Sequence, residues 1–513
     1  MNKPLNIVIL GGGTAGWMTA AALAKTTSHL TQSITLIESD KIGTIGVGEA
    51  TIPHIRYFNS KLGINEHDFI KATNATYKLG IEFINWGKQG DSYIHPFGEF
   101  GVENNGIPFH HYWRRGLDYG LDTPLFEYSL PVTASRNGRF EYPDTHRKSI
   151  YSSYSYAFHL DANKYAEYLK NYSVPLGVKH IEGKVERVEK GVNGDISSLI
   201  LEDGTGIQGD LFIDCSGFRS LLLNQELGVK FEDWSQWLMC DRAVAIPSRS
   251  KKTPPPFTQA IAHSAGWQWK IPLQNRYGNG HVYSSAHISD DEAAATLLNN
   301  IEGEALSEPN FLRFRARRYH QTWKNNCVAI GLSAGFLEPL ESTSIYLIQS
   351  AIMKLVTYLP NCEDYSDLRL EYNRQMKNEY ERLRDFLILH YHATEREDSE
   401  FWKHCKHMQI PEGLKDKLLA FKELGYIDQY EHGLFLSPSW VAVLIGQGVI
   451  PSNYHPKAGE IPKEELLRNL SNLKKATENA AASLPLHKQS LEKHLSGDPA
   501  WPSAAMSLYG VFS

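Results

Sequence analysis

Asn6–Gly16 reads NIVILGGGTAG. A short apolar, β-branched run meets three glycines and passes at once into WMTAAALAKTT, a stretch of helix-forming composition. A run of that length and type, bounded by glycine, is a buried strand. Gly11, Gly13 and Gly16 stand in the spacing G-x-G-x-x-G. The first glycine lets the turn tighten, the second lets the backbone approach a pyrophosphate, and the third lets helix and strand pack closely. The N-terminus of the following helix turns its free N–H groups toward the phosphate charge. A second strand, SITLIES, ends near Glu38, whose carboxylate is placed to bind ribose hydroxyls. The stretch predicts a β–α–β dinucleotide-binding unit; a tight turn alone would need none of this flanking context.

The remainder of the chain must be built around that unit. With 513 residues it is either more than one domain or a large α/β fold with insertions. A hydrophobic content of 42% and a charged content of 21% describe a globular, enzyme-like protein. A net charge of −6 gives no electrostatic case for nucleic acid or an anionic membrane as partner. The five cysteines, Cys215, Cys240, Cys327, Cys362 and Cys405, are odd in number and contain no C-x-x-C. They predict free thiols in a reducing compartment. His404, Cys405 and His407 cluster in KHCKHM, but a closed zinc site needs four ligands, so no metal is expected there. The N-terminus runs directly into a strand, without a signal peptide's regions, and no apolar run is long enough to span a bilayer. The expectation is a soluble, cytoplasmic protein.

Along the chain, residues 53–76 predict helix. The segment 90–155 is rich in Gly, Pro, His and Tyr and lacks long periodic runs, so it predicts loops inserted into the scaffold, where sites are often found. KHIEGKVERVEK and GDISSLILEDGTGIQGDLFIDCSG predict strands, with EDGTG as a hairpin turn. In ESTSIYLIQSAIMKLVTYLP, Ile345, Ile348, Ile352, Leu355, Val356 and Leu359 recur at helical spacing and Pro360 ends the run. Ser342 or Thr343 is the predicted N-cap, and the helix N-terminus is an anion site. Beyond residue 360 the pattern is mostly helical.

Three blocks identify the cofactor. GDLFIDCSGFRS (Gly209–Ser220) resembles the second sequence block of two-domain flavoprotein monooxygenases, and NCVAIGLSAGFLEPLESTSI (Asn326–Ile345) resembles their flavin-contacting strand and helix. Those enzymes usually carry an Asp soon after the glycine; here Leu332 and Ser333 follow Gly331. FAD is favoured over NAD. Joined to GVGEATIP (Gly46–Pro53) and GWQWKIP (Gly266–Pro272), these blocks make the chain resemble flavin-dependent halogenases of the tryptophan-halogenase type, nearly throughout and as far as HYHATEREDSEFW (His390–Trp402).

That resemblance implies an α/β flavoprotein monooxygenase-like box with a Rossmann-type FAD-binding half over residues 1–365, the 90–155 loops inserted in it, and a mainly helical module over 366–513 that completes the substrate site. It implies an enzyme that uses FADH2, O2 and chloride or bromide to make hypohalous acid and directs it at an electron-rich aromatic carbon of indole, a substituted indole or tryptophan. Lys78 matches the family's essential lysine, donating a hydrogen bond to hypohalous acid or reacting as a haloamine. Glu341 matches its catalytic glutamate, suited to stabilise the cationic ring intermediate or the lysine. Thr343 and Ser344 are the implied halide contacts, mainly through backbone N–H, with Ser344 where many members have Gly. His95 and Phe97 match the residues that sandwich the indole. Trp267 and Trp269 form a rigid wall that keeps substrate from the flavin. Thr14, Ala15, Ala50, Val185, Leu332 and Ile345 join Gly11, Gly13, Gly16 and Glu38 as implied cofactor contacts. A separate NAD(P)H-dependent flavin reductase is the implied partner, because the chain shows no second dinucleotide fingerprint, and a homodimer is a family-level expectation. The segment Tyr426–Gly448 is shorter than its counterpart in relatives acting on free tryptophan, and Tyr430, Glu431 and Trp440 have no assigned role. An FAD-dependent aromatic hydroxylase is the alternative, and a non-catalytic flavin- or indole-binding protein a third reading. Trp267, Trp269, Lys78 and Glu341 argue against the hydroxylase, and Lys78 and Glu341 against the non-catalytic reading.

Overall fold

A computed structural model describes residues 4–40, 48–144, 149–249, 252–359, 366–428 and 433–496. Gly46, Val47, Pro360, Cys362, Tyr430, Glu431 and the expected boundary at 365 lie outside the described residues. The glycine-rich turn joins β1 (Leu5–Leu10) to α1 (Thr14–Thr26), which leads into β2 (Thr31–Glu38). The predicted 53–76 helix is two helices, α2 (His54–Leu62) and α3 (Glu66–Thr73), separated at Gly63, which takes φ +72°. Short strands flank them: β3 (Gly48–Ala50), β4 (Thr76–Lys78), β5 (Gly80–Ile84) and β6 (Ser92–Pro96). The 90–155 segment holds more regular structure than its composition suggests, since β6, α4 (Phe109–Asp118) and α5 (Leu130–Arg136) fall within it. Its aromatic and histidine side chains fill the core: Phe109, His110, His111, Tyr112 and Trp113 of α4 are all buried.

β7 (Ala157–Asp161), α6 (Ala162–Ser173) and β8 (Val178–Glu182) return the chain to the first unit. β9 (Val185–Lys190), β10 (Ile196–Leu201) and β11 (Gly206–Gln208) form a three-stranded meander, its second turn being the EDGTG hairpin. β12 (Leu211–Asp214) lies beside β1 in parallel. β13 (Phe231–Asp233) belongs to a small outer sheet. The large antiparallel unit follows: β14 (Arg242–Arg249), β15 (Thr258–His263), β16 (Gly266–Pro272) and β17 (Arg276–Tyr283), backed by α7 (Asp290–Asn300). β18 (Asn310–Arg313), β19 (Arg317–Tyr319), β20 (Trp323–Lys324), β21 (Cys327–Ala329) and β22 (Gly335–Phe336) complete the strands.

Two sheets define the box. One runs β20-β21-β12-β1-β2-β8, parallel apart from its β20 edge. The other runs β18-β14-β17-β16-β15-β5-β6. Near-continuous apolar runs such as IVIL in β1 suit a parallel strand covered on both faces. The GWQWKIP block is β16, an interior strand buried along its whole length. Trp269 stands opposite Gly280 across the β16–β17 ladder, and a Cβ at Gly280 would fall into the Trp269 ring. The tryptophan therefore needs that glycine.

The last third is helical, as predicted: α8 (Ser344–Tyr358), α9 (Ser366–His392), α10 (Glu400–His407), α11 (Glu412–Leu424), α12 (Ser437–Gly446), α13 (Lys463–Ser483) and α14 (His487–Leu495). α9 packs on α8, α12 on β6, α13 on α4 and α5, and α14 on α3 and β4. One hydrophobic cluster runs from Ile7 to Leu491. The described cysteines, Cys215, Cys240, Cys327 and Cys405, are free and buried. Among the described residues no group of His, Cys, Asp or Glu is arranged to hold a metal, and no helix is long and apolar enough to cross a membrane.

Candidate active site

A cavity of about 880 Å3 opens at the C-terminal edge of the parallel sheet. Gly11, Gly12, Gly13, Thr14 and Ala15 form its floor, and Glu38, Ala50 and Val185 line its sides. Leu332 and Ile345 line it from the far side, so the Leu332 departure falls on the cavity itself. The glycines are there for space: a Cβ at Gly11 would meet the Cys215 carbonyl, and one at Gly12 the Glu38 carboxylate. Gly16 does not line the cavity; a Cβ there would strike the Gly11 carbonyl, so its part is to close the turn. α1 starts at Gly13 without a side-chain cap and with no acidic residue in its first turn, which leaves its N-terminal N–H groups for an anion. Glu38 accepts from Lys170 Nζ at 2.9 Å and lies 2.7 Å from His180 Nε2, which fixes its carboxylate. Size, phosphate cradle and ribose acceptor fit a dinucleotide such as FAD.

Lys78 ends β4 and is fully buried. Its Nζ donates to the Thr51 carbonyl at 3.0 Å and to Ser342 Oγ at 2.9 Å, and it stands 5.1 Å from the centre of the Phe97 ring. Burial lowers its pKa to about 7, against the opposing pull of the Glu341 charge. Glu341, also fully buried, is held from two directions. His95 Nδ1 lies 3.0 Å from both carboxylate oxygens, and His390 Nε2 2.7 Å from Oε1. Burial alone would raise the Glu341 carboxyl; the imidazoles of His95 and His390 outweigh it and bring it to about 2. The second ring nitrogen of His390 faces the Phe386 carbonyl at 2.8 Å, so the ring is fixed in orientation. His95 Nε2 is buried without a hydrogen-bond partner among the described residues, an open polar position beside Glu341.

Ser342 joins the two regions. Its hydroxyl accepts from Lys78, and the residue lines the cofactor cavity. It holds φ +60°, a backbone region costly for a non-glycine residue and retained where surrounding structure demands it. That turn sends Glu341 to one side and starts α8 on the other. Thr343 is the N-cap by position, but no side-chain bond closes the cap, and Ser342 is committed to Lys78 instead. The N–H groups at the start of α8 are thus left open, and Ser344 faces the cavity. Trp267 and Trp269 line the same cavity, their rings 6.3 Å apart at 61°.

The structure gathers Lys78, Glu341, His95 and Phe97 in one buried cluster that meets the cavity through Ser342, while Ser344, Trp267 and Trp269 line the cavity itself. Thr343 sits beside it, buried at the head of α8. Trp440 packs behind this cluster: it is buried, donates to the Phe435 carbonyl at 3.0 Å and meets edge-on Phe386, whose ring neighbours His95 and His390. Sequence reasoning missed Ser342 as a partner of Lys78, His390 as a partner of Glu341, and Glu338, a third buried carboxylate. His390 and Glu338 stood inside quoted motifs, but nothing local marks what they touch.

The family model for tryptophan halogenase matches residues 6–463. The chain is 39% identical over 475 residues to a tryptophan 6-halogenase of Streptomyces toxytricini, covering 87% of this chain and 90% of that one. Among solved structures it is similar to a flavin-dependent halogenase from Xanthomonas campestris, with TM-score 0.93, 44% identity and coverage of 96% and 99%. It is similar also to one from Brevundimonas sp. BAL3, with TM-score 0.92, 43% identity and the same coverage. The expected fold and enzyme class are borne out, and the hydroxylase reading is not favoured. With its glycine-lined cavity and a buried lysine and glutamate beyond Ser342, this chain belongs to the tryptophan halogenase family and is a flavin-dependent halogenase, an enzyme type that works on reduced flavin, a halide and an aromatic substrate.

Proposed function

We propose that the enzyme halogenates an electron-rich carbon of an indole, whether indole itself, a substituted indole or tryptophan, with Lys78 and Glu341 as its catalytic residues. The observation that carries this reading is the fully buried Lys78, bonded to Ser342 of the loop that also holds Glu341. Reduced FAD, when bound, would activate O2 as the oxidant that turns halide into hypohalous acid; the protein's own work is to hold, aim and exclude. Two Lys78 hydrogens are spent on Thr51 and Ser342. In the ammonium form a third remains to donate to the oxygen of hypohalous acid, which makes its halogen more electrophilic. Glu341, kept ionised by His95 and His390, offsets the positive charge that develops on the ring and supports the ammonium. His95 and Phe97 orient the ring faces, and the open N–H groups at Thr343 and Ser344 receive chloride or bromide.

The relatives' names point to tryptophan as substrate. The short segment Tyr426–Gly448 makes a substrate without an amino-acid head group at least as well supported as free tryptophan. Reduced flavin would come from a separate NAD(P)H-dependent reductase. The test is purified protein with FAD, such a reductase, O2 and either halide, offered indole and tryptophan in parallel and read by mass spectrometry. A halogen isotope pattern is expected with both halides, and at least as much product from indole as from tryptophan. Oxygenated products lacking halogen would overturn the reading.

A further inference from the structure

The loop before α8 carries two carboxylates, and the reaction above uses only Glu341. Glu338, three residues earlier, is fully enclosed. Its Oε2 accepts from Trp267 Nε1 at 3.0 Å and from the Tyr391 hydroxyl at 2.6 Å, while Oε1 has no partner among the described residues. Enclosing a carboxyl in an aromatic core is costly, and an apolar residue of equal volume would fill the space more cheaply. Its retention needs a reason beyond packing.

The geometry supplies one. Trp267 has a single hydrogen-bond donor, and fixing it sets the rotation of the whole indole plane. Its ring neighbours, Trp269 at 6.3 Å and Trp86 at 6.4 Å, lie at 61° and 52° and do not stack on it. Trp269 Nε1 is buried without a partner among the described residues, where Trp267 alone of the pair has a polar tether. Tyr391 is locked from behind by stacking on Trp402, and it follows His390, the Glu341 partner, in α9. One loop and one turn of α9 therefore hold both the lysine–glutamate centre and the wall.

We propose that Glu338 is a positioning residue that pins the Trp267 indole, keeping the flavin-side wall closed and in register with Lys78 and Glu341. The inference rests on the halogenase reading above. With the wall unpinned, O2 reduced at the flavin escapes as hydrogen peroxide before it oxidises halide. Reduced flavin and O2 then end as oxidised flavin and hydrogen peroxide, two electrons and two protons passing to O2 with no carbon–halogen bond formed.

The experiment measures halogenated product and hydrogen peroxide per reduced flavin consumed, at saturating substrate, with FAD affinity and melting temperature read on each variant. Glu338→Met keeps the volume and removes the acceptor; product per reduced flavin should fall roughly tenfold, a modest share of what misplacement can cost, with peroxide rising to match and FAD affinity unchanged. Glu338→Gln, whose amide oxygen accepts from both donors, should restore most of the coupling. If Glu338→Met fails to fold, Trp267→Phe, which removes the donor and leaves Glu338 in place, should show the same loss. Coupling within twofold of wild type in Glu338→Met or Trp267→Phe would overturn the proposal, as would a Glu338→Gln variant as uncoupled as Glu338→Met. A wild-type enzyme that makes no halogenated product would sink the halogenase reading itself; a halogenating wild type matched by Glu338→Met would sink this inference alone.

Discussion

A lysine sealed in the interior has its charge set by its neighbours. Lys78 titrates near pH 7 because burial disfavours its charge, while Glu341 stays ionised down to about 2. If the ammonium is the working form, activity should decline as pH rises through about 7, and that limb should vanish in Lys78→Arg, which does not deprotonate in this range. The check is the halogenation rate in single turnovers against pH. A rate that instead rises through the same window would favour the neutral amine and a haloamine. Stability has its own sign. Below about 7 Lys78 is protonated folded and unfolded alike, and the folded state bears the whole burial penalty. Between about 7 and 10.5 the unfolded chain holds a proton that the folded chain has lost, so the lysine's contribution to stability rises with pH. Urea unfolding should show Lys78→Met more stable than wild type below pH 7, with wild type closing the gap toward pH 10.

Single elements explain what the sequence disclosed and what it withheld. β1, its glycines and α1 are legible because everything that shapes them is local: strand, turn and helix follow within a few residues, and the glycine spacing names the ligand's charge. α8 is legible for the same reason, through its periodic apolar face. The GWQWKIP block is conspicuous, but its companions are remote. Gly280 makes room for Trp269 across the ladder, and Glu338 tethers Trp267 from a loop 71 residues away. The Glu341–His390 bond spans 49 residues, and no pattern in either stretch announces it. In the 90–155 segment α4 is not legible, because aromatics and histidines, not aliphatic repeats, form its buried face. A halide held through backbone N–H groups should be indifferent to the side chain, so Ser344→Gly should leave the KM for chloride within about threefold of wild type, the small change expected where the donor is main chain. A tenfold rise would show that the hydroxyl itself is a ligand.

For the molecule as a whole, the end of the chain supports its chemistry. The backbone N–H of Tyr77 donates to His487 Nε2 at 3.2 Å, and His487 Nδ1 faces the Pro254 carbonyl at 2.7 Å. β4, which carries Lys78, thus has one edge paired with β7 and the other closed by a side chain of α14. Tyr77 stacks on Phe140 at 4.0 Å and bonds both Tyr142 and His494, so the 90–155 segment and the C-terminal helix meet at this strand. His487→Ala leaves a buried backbone donor unpaired and should cost about 1–3 kcal/mol in urea unfolding. Halogenation should fall with it, while FAD affinity, set by cavity residues that do not include Tyr77 or His487, holds. The central claim remains that Lys78 delivers halogen, and mass spectrometry of the reductase-coupled reaction tests it most directly. The account predicts a halogen isotope pattern on indole from wild-type enzyme that is lost in Lys78→Ala with FAD binding intact. Halogenated product persisting in Lys78→Ala, or oxygen added without halogen by the wild type, would contradict it.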